Sequence, residues 1–346
     1  MTKVRNERAV VAQIERTFGF ARTRALDVAL GDDAALWSPA PGHQTILTCD
    51  WFLEDSHFLR SKHPPDAIGW KCLARAASDV AAMGGKPRCF LLSLALPNNL
   101  TGNWLSAFLR GLRRASISLG SVLAGGDTSR NEKVMISITV IGEVRRRRAI
   151  LRSGARPGDL VFVSGTLGEA ELGLLQLRRK RGMAKPANVA LRKHLYPQPR
   201  VALGQWLANN HLATSMMDIS DGLSTDLPRL CTASGAGARI DANSLPVTPL
   251  TNAGDAQELA LHGGDDYELL FTVAKRNAAR LAPGFHGLRL THIGEITKER
   301  KILLVTGGGK SVRLRPGGWD SFAVDPELSS IQQRNRPTGR NSFVPP

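Results

Sequence analysis

Pro65-Asp66-Ala67-Ile68-Gly69-Trp70-Lys71-Cys72-Leu73-Ala74-Arg75-Ala76-Ala77-Ser78-Asp79-Val80-Ala81-Ala82-Met83 places small and apolar residues at helical spacing, and Pro64-Pro65 sits where a helix start tolerates proline. The helix this predicts carries Ser78-Asp79 among alanines, where the carboxylate has no obvious local partner. An unpaired buried carboxylate is costly, so a cation or a polar network must hold Asp79. Arg75, four residues earlier, is the nearest candidate for a salt bridge, and a metal ion is the other.

Outward from this helix the chain alternates strands and helices. Glu7 to Phe18 reads as a helix, Leu30 to Trp37 as a turn entering a strand, and Gln44 to Cys49 as an alternating strand ending on Asp50. Beyond Met83, Phe90 to Leu96 predicts a strand and Gly102 to Leu119 an amphipathic helix. Val122 to Leu123 reads as a strand ending on Gly125-Gly126-Asp127, and Val134 to Val144 as another strand. A basic run, Arg145 to Arg148, then meets Ser153-Gly154-Ala155-Arg156-Pro157-Gly158-Asp159 and marks a boundary. The second half opens with a strand, Leu160 to Ser164, and a helix from Glu169. It carries a turn into a helix at Asp218 to Asp226 and a turn at Gly263 to Tyr267 before the strand Glu268 to Val273. The fold class is therefore α+β in two domains, 1–148 and 149–328, with a ligand cleft between them; residues 329–346 read as a disordered basic tail.

With 346 residues the chain is long enough for two domains and a sizeable core. No run approaches the roughly 18 apolar residues that span a bilayer, and Met1 to Phe20 is charged throughout, unlike a signal peptide, so a cytoplasmic protein without membrane contact is expected. Cys49, Cys72, Cys89 and Cys231 form no CxxC pair and read as reduced thiols. The net charge of +16 raises nucleic-acid binding as an alternative from another class. The basic clusters at 145–148, 178–181 and 334–340 lack aromatic interleaving, however, and the chain has only two tyrosines, so a solvated surface that attracts anionic substrates is the favoured reading.

Against that positive background, acidic residues recur beside small ones: Gly31-Asp32-Asp33, Thr48-Cys49-Asp50, Ser78-Asp79, Gly125-Gly126-Asp127-Thr128, Asp218-Ile219-Ser220-Asp221-Gly222 and Gly263-Gly264-Asp265-Asp266. Mg²⁺ is usually held by one or two carboxylates plus substrate phosphates, so carboxylates from many segments point to several ions clamping a polyphosphate. The paired glycines before Asp127 either let the backbone approach a phosphate or make a plain turn. Ser220 or Asp221 resembles a helix N-cap, which leaves Asp218 unexplained. Arg152, before a glycine turn, is a phosphate clamp or a surface arginine. Thr306-Gly307-Gly308-Gly309-Lys310-Ser311 ends like a Walker A loop, but Leu304 occupies the leading glycine position and no helix follows, so a hairpin turn is expected. Gly165-Thr166-Leu167-Gly168 is too short for a dinucleotide fingerprint.

Taken in order, Ser78 to Gly84, Arg152 to Asp159, Asp218 to Leu223 and Gly263 to Leu269 resemble the thiamine-monophosphate kinase family of the aminoimidazole-ribonucleotide-synthetase-like superfamily, over about Phe18 to Phe322. The resemblance implies ATP-dependent phosphorylation of thiamine monophosphate to thiamine diphosphate, with ATP in the cleft between the domains. It implies several Mg²⁺ ions held by Asp33, Thr48, Cys49, Asp50, Asp79, Asp127, Asp218 and Asp221. Gly126, Asp127, Arg152 and Ser220 match the ATP contacts, with Asp50, Asp127 and Arg152 closest to the chemistry. His57 matches a contact to the phosphorylated acceptor, Asp265 and Trp319 match recognition of the thiamine rings, and a homodimer through the N-terminal domains is implied. Three residues depart from the family pattern: Cys49 and Asp265 stand where threonine and glutamate are usual, and Leu109 where some members place a tyrosine against adenine. The alternative is another ATP-using enzyme of the superfamily acting on a different small metabolite. Selenophosphate synthesis and hydrogenase maturation are disfavoured by the lack of a reactive cysteine near either end.

Overall fold

Helical spacing around Ser78-Asp79 is realised in the computed structural model of the protein, which describes residues 6–19, 23, 25–30, 33–179, 182, 183, 185, 188–281 and 284–322. The N-terminal half runs α1 (Glu7–Phe18), β1 (Leu26–Val28), β2 (Leu36–Trp37), β3 (His43–Leu53), α2 (Pro65–Ala82), β4 (Lys86–Leu96), α3 (Asn103–Leu119), β5 (Val122–Arg130) and β6 (Met135–Arg145). Four of its strands form one sheet in the order β3-β6-β4-β5, with only β4 and β5 parallel. Alternation along β3 sends Ile46 and Phe52 into the core beneath α2 and α3, and leaves Leu47 and Trp51 outward, 70% and 54% exposed. The two helices lie close because glycines face each other's backbone. A Cβ at Gly69 would lie 2.1 Å from the Phe108 carbonyl oxygen, and one at Gly111 would lie 1.8 Å from that of Asp66.

The second half runs β7 (Leu160–Ser164), α4 (Glu169–Arg179), α5 (Val189–Leu195), α6 (Val201–Asn209), β8 (Ala213–Ile219), α7 (Leu223–Ser234), β9 (Gly237–Asp241), α8 (Ala253–His262), β10 (Glu268–Val273), β11 (Leu290–Thr297), β12 (Ile302–Val305) and β13 (Ser311–Arg313). These strands make one sheet in the order β13-β12-β9-β11-β7-β10-β8, mostly antiparallel. No described strand of either sheet crosses 146–159. Helix α2 serves both halves: its N-terminal part packs on α3, while its C-terminal part meets α6, where a Cβ at Gly204 would lie 2.1 Å from the Ala81 carbonyl oxygen.

Three local readings change. The strand expected at 44–49 continues to Leu53, because β6 pairs with all eleven residues from His43, so Asp50 lies within the strand. The turn expected at Gly125-Gly126-Asp127 is strand as well, paired with β4; Gly126 lies so near β4 that a Cβ would come 1.9 Å from the Leu92 carbonyl oxygen. Neither Ser220 nor Asp221 caps α7, since Gly222 holds the cap position. The hairpin at 306–311 does form: β12 and β13 pair antiparallel and Thr306 N donates to Lys310 O at 3.0 Å. The basic tail read at 329–346, and Gly31, Asp32, Lys180 and Arg181, lie outside the described residues.

Because the α2–α3 contact depends on a missing side chain, Gly111→Ala should cost about 1–3 kcal/mol through overpacking. Urea unfolding should show a lower midpoint, and an unchanged midpoint would mean that the helices separate freely.

Candidate active site

Around the C-terminal turn of α2, side chains from both halves of the chain meet. Thr48 Oγ1 donates to Asp79 Oδ2 at 2.5 Å, and Ser78 Oγ donates to Asp218 Oδ2 at 2.6 Å. Thr48 and Asp50 share the inward face of β3, and Asp218 lies one residue before the end of β8. Burial raises the Asp218 carboxyl to about 8, with the Asp79 charge adding to it. Burial also raises Asp50, opposed by Arg75 and reinforced by Asp79 and Asp221. These carboxylates therefore feel one another, and for Asp79 and Asp218 the hydrogen-bond donors are neutral hydroxyls.

A carboxylate that the sequence reading did not single out fixes the turn at 220–222. Asp226, fully buried, accepts from Ser220 N at 3.1 Å and Asp221 N at 3.0 Å, and Arg229 pairs with both Asp226 and Asp221. Burial, and next the Asp221 charge, raise Asp226 to about 6. The segment carrying Trp319 is tied to the same turn, since Trp319 N donates to Asp221 O at 2.9 Å. The Trp319 ring, 44% exposed, lies 6.4 Å from that of His57. His57 Nδ1 accepts from Leu53 N at 3.0 Å, which leaves Nε2 as the donor. Burial, with Arg75 beside it, lowers His57 to about 4, so the ring is neutral near pH 7.

The run Gly263 to Leu269 divides its polar residues among separate tasks. Asp265 pairs with Lys71 at 2.7 Å through Oδ2 and accepts from the Tyr267 hydroxyl at 2.7 Å through Oδ1. Burial works against its charge, but Lys71, His194 and Arg75 outweigh it and hold the carboxyl below the usual carboxylate range. Lys71, 1% exposed, also meets His194 Nδ1 at 3.3 Å. Asp266 reaches the opposite way and caps the start of α4, accepting from Gly168 N at 2.7 Å and Ala170 N at 3.2 Å. Glu268, fully buried, is paired by Arg200 and Lys193.

Other sequence-derived candidates stand apart from this cluster within one chain. Register places Asp50, Ile138, Leu92 and Gly126 in one row across the sheet. At the usual strand spacing, Gly126 is about 14 Å from Asp50. Gly126 and Asp127 instead line a cavity of about 170 Å³ beside α1, with Ile14, Leu30 and Leu123. Arg152 is exposed, and its carbonyl accepts from Ser234 Oγ at 3.0 Å, at the end of α7 remote from Asp221. Asp33 is exposed in the turn before β2. Strand alternation turns Cys49 to the outward face, where its Sγ meets Ser137 Oγ at 3.3 Å, so only its backbone can serve the Asp50 side. Leu109 is wholly buried in the core and presents nothing to a nucleotide.

Among the described residues no three His, Cys, Asp or Glu side chains form a ready cation cage. The carboxylates of Asp79 and Asp218, held by neutral hydroxyls, are the kind of ligand that Mg²⁺ takes one or two of together with water and substrate phosphates. Sequence reasoning passed over Lys71 and weighed Arg75 only as a partner for Asp79, although Lys71, Arg75 and Asp79 recur every four residues and so share one helix face.

The family described as AIR synthase related protein, N-terminal domain, matches residues 31–144, and its C-terminal counterpart matches 156–306. The thiamine-monophosphate kinase of Escherichia coli (strain K12) is 39% identical over 90% of this chain and 97% of its own length. The crystal structure of thiamine-monophosphate kinase from Stenotrophomonas maltophilia K279a is 34% identical with a TM-score of 0.77, covering 88% of this chain and 98% of that one. AaThiL complexed with AMPPCP and TMP is 34% identical with a TM-score of 0.71, covering 90% of this chain and 96% of that one. By both sequence and fold, the chain belongs to the thiamine-monophosphate kinase family of AIR synthase related proteins.

Proposed function

We propose that this protein transfers the terminal phosphoryl group of ATP to the phosphate of thiamine monophosphate, yielding thiamine diphosphate and ADP. One observation carries the reading: in a chain of this family, Asp50, Asp79 and Asp218 feel one another's charge at the end of α2, while Trp319, hydrogen-bonded to Asp221, stands beside His57. The related AaThiL, complexed with AMPPCP and TMP, supports ATP as donor and thiamine monophosphate as acceptor.

A phosphate monoester has a second pKa of about 6, so its oxygen is already anionic near neutral pH and needs no general base. The obstacle is repulsion between two anions. Mg²⁺ ions, when bound, neutralise that charge and keep donor and acceptor oxygens in line. We assign Asp33, Thr48, Asp50, Asp79, Asp127, Asp218 and Asp221 to hold them, with the backbone of Cys49. Gly126, Asp127, Arg152 and Ser220 are assigned to ATP. Neutral His57 donates from Nε2 to the acceptor phosphate and keeps its proton. Trp319 offers an indole face to the cationic thiazolium. Asp265, both of whose oxygens are already engaged, meets the rings through its remaining lone pairs.

The domains are proposed as 1–148, binding ATP and Mg²⁺, and 149–328. A homodimer through the N-terminal sheet gains by covering Leu47 and Trp51 on its outward face. No described helix is long and apolar enough to cross a membrane, and the proposed compartment is the cytoplasm.

Incubation with ATP and Mg²⁺ should convert thiamine monophosphate to thiamine diphosphate and leave free thiamine unphosphorylated. Thiamine monophosphate made from thiamine at a comparable rate would overturn the assignment. Asp79→Asn and Asp127→Asn each keep the side-chain volume and remove a charge, and each should abolish measurable turnover in a folded protein. Near wild-type activity of either at saturating Mg²⁺ would remove that residue from the ligand set. Trp319→Ala should raise KM for thiamine monophosphate while KM for ATP and the melting temperature hold, since the ring is half-exposed. An unchanged KM would place the indole outside the site.

A further inference from the structure

Arg75 lies on the face of α2 between two occupied positions. One turn before it, Lys71 is bound to Asp265; one turn after it, Asp79 is bound by Thr48. Arg75 itself has no such partner. Among the described residues no carboxylate comes within ion-pair distance of its guanidinium, and its Nε is buried without a hydrogen bond. The salt bridge to Asp79 that sequence spacing offered is not made. The guanidinium carbon lies 5.3 Å over the Phe52 ring, which fixes the group without using its N–H donors. Tyr267, Asp265, Asp50 and Asp221 surround it at longer range and, against the burial that opposes its charge, hold it firmly cationic. Its positive field in turn acts on His57.

A guanidinium held over an aromatic ring, with a buried, unmade Nε donor and no ion-pair partner among the described residues, is suited to an anion with several oxygens, because its planar fork matches a phosphate. Its neighbours divide into the carboxylates proposed for Mg²⁺, Asp50 and Asp221, and the residues proposed for the acceptor, His57 and Asp265. The residues proposed for ATP on β5 lie across the sheet. We propose that Arg75 binds the phosphate of the acceptor directly, as a fixed cation built into the wall of the site that works beside the exchangeable ones. The inference rests on the kinase reading above and adds to it the residue that distinguishes a phosphorylated acceptor from its alcohol.

Equilibrium dialysis of the full chain with thiamine monophosphate and with thiamine, in EDTA and without nucleotide, tests this apart from catalysis. Wild type should bind the monophosphate at least about tenfold more tightly than thiamine even without divalent metal, as one charge-assisted fork allows. Arg75→Gln should abolish that preference and leave thiamine binding equal or stronger, because a positive charge beside a cationic ligand has been removed. Arg75→Lys should restore part of the preference. In turnover, Arg75→Gln should raise KM for thiamine monophosphate by about tenfold and leave KM for ATP within about twofold. Equal affinity of wild type for both ligands in EDTA would refute the proposal without any variant. So would equal weakening of both ligands in Arg75→Gln, the mark of a packing role. Failure of wild type to make thiamine diphosphate would instead sink the kinase reading, and the dialysis result would still stand as a measure of phosphate binding.

Discussion

Carboxylates resist being gathered out of water, and much of the architecture around α2 consists of the means to hold them there. Those means differ from one carboxylate to the next. Asp265, Asp226 and Glu268 each have a resident cation: Lys71 for the first, Arg229 for the second, Arg200 with Lys193 for the third. Among the described residues, Asp79 and Asp218 are positioned by the neutral hydroxyls of Thr48 and Ser78. A neutral donor fixes the geometry of a carboxylate but leaves its charge uncompensated, which is what a binding site for cations requires. Asp79 and Asp218 are thus left open for something that arrives later, whereas Asp221 and Asp265 bring to the site a charge already partly compensated by Arg229 and Lys71.

How much of this was legible in the sequence follows from the range of the interactions. The helix at Pro65–Ala82 and the 306–311 hairpin rest on local spacing and glycine placement, and both are readable. So are the acidic segments and the family they resemble. The strand through Gly125-Gly126-Asp127 was not, because its conformation is imposed by β4 alongside, and two glycines in isolation read as a turn. The cap on α4 comes from Asp266, 96 residues beyond Ala170, and the partner of Lys71 is 194 residues away. No local pattern encodes either pairing.

Within the proposed site, sequence order also concealed separation. Asp50 and Asp127 look equivalent as acidic residues beside small ones, yet they occupy opposite edges of one four-stranded sheet. Arg152 and Asp221 flank opposite ends of α7. The residues that gather most closely with Asp79 are instead Thr48 on the strand beneath it and Asp218 on β8, which the neighbouring Ser78 holds.

Strand β3 presents Thr48 and Asp50 to the site and Leu47, Cys49 and Trp51 to the outside, by simple alternation. A single-codon insertion between Thr45 and Cys49 would therefore turn over every residue on one side of it, sending Asp50 out of the carboxylate cluster and Trp51 in, or breaking the pairing with β6. Substitution can explore this strand one face at a time, but a change of length alters both faces at once. Over evolutionary time, β3 is thus a segment of fixed length, whereas the exposed turn at Gly307-Gly308-Gly309 can grow or shrink without consequence for the site.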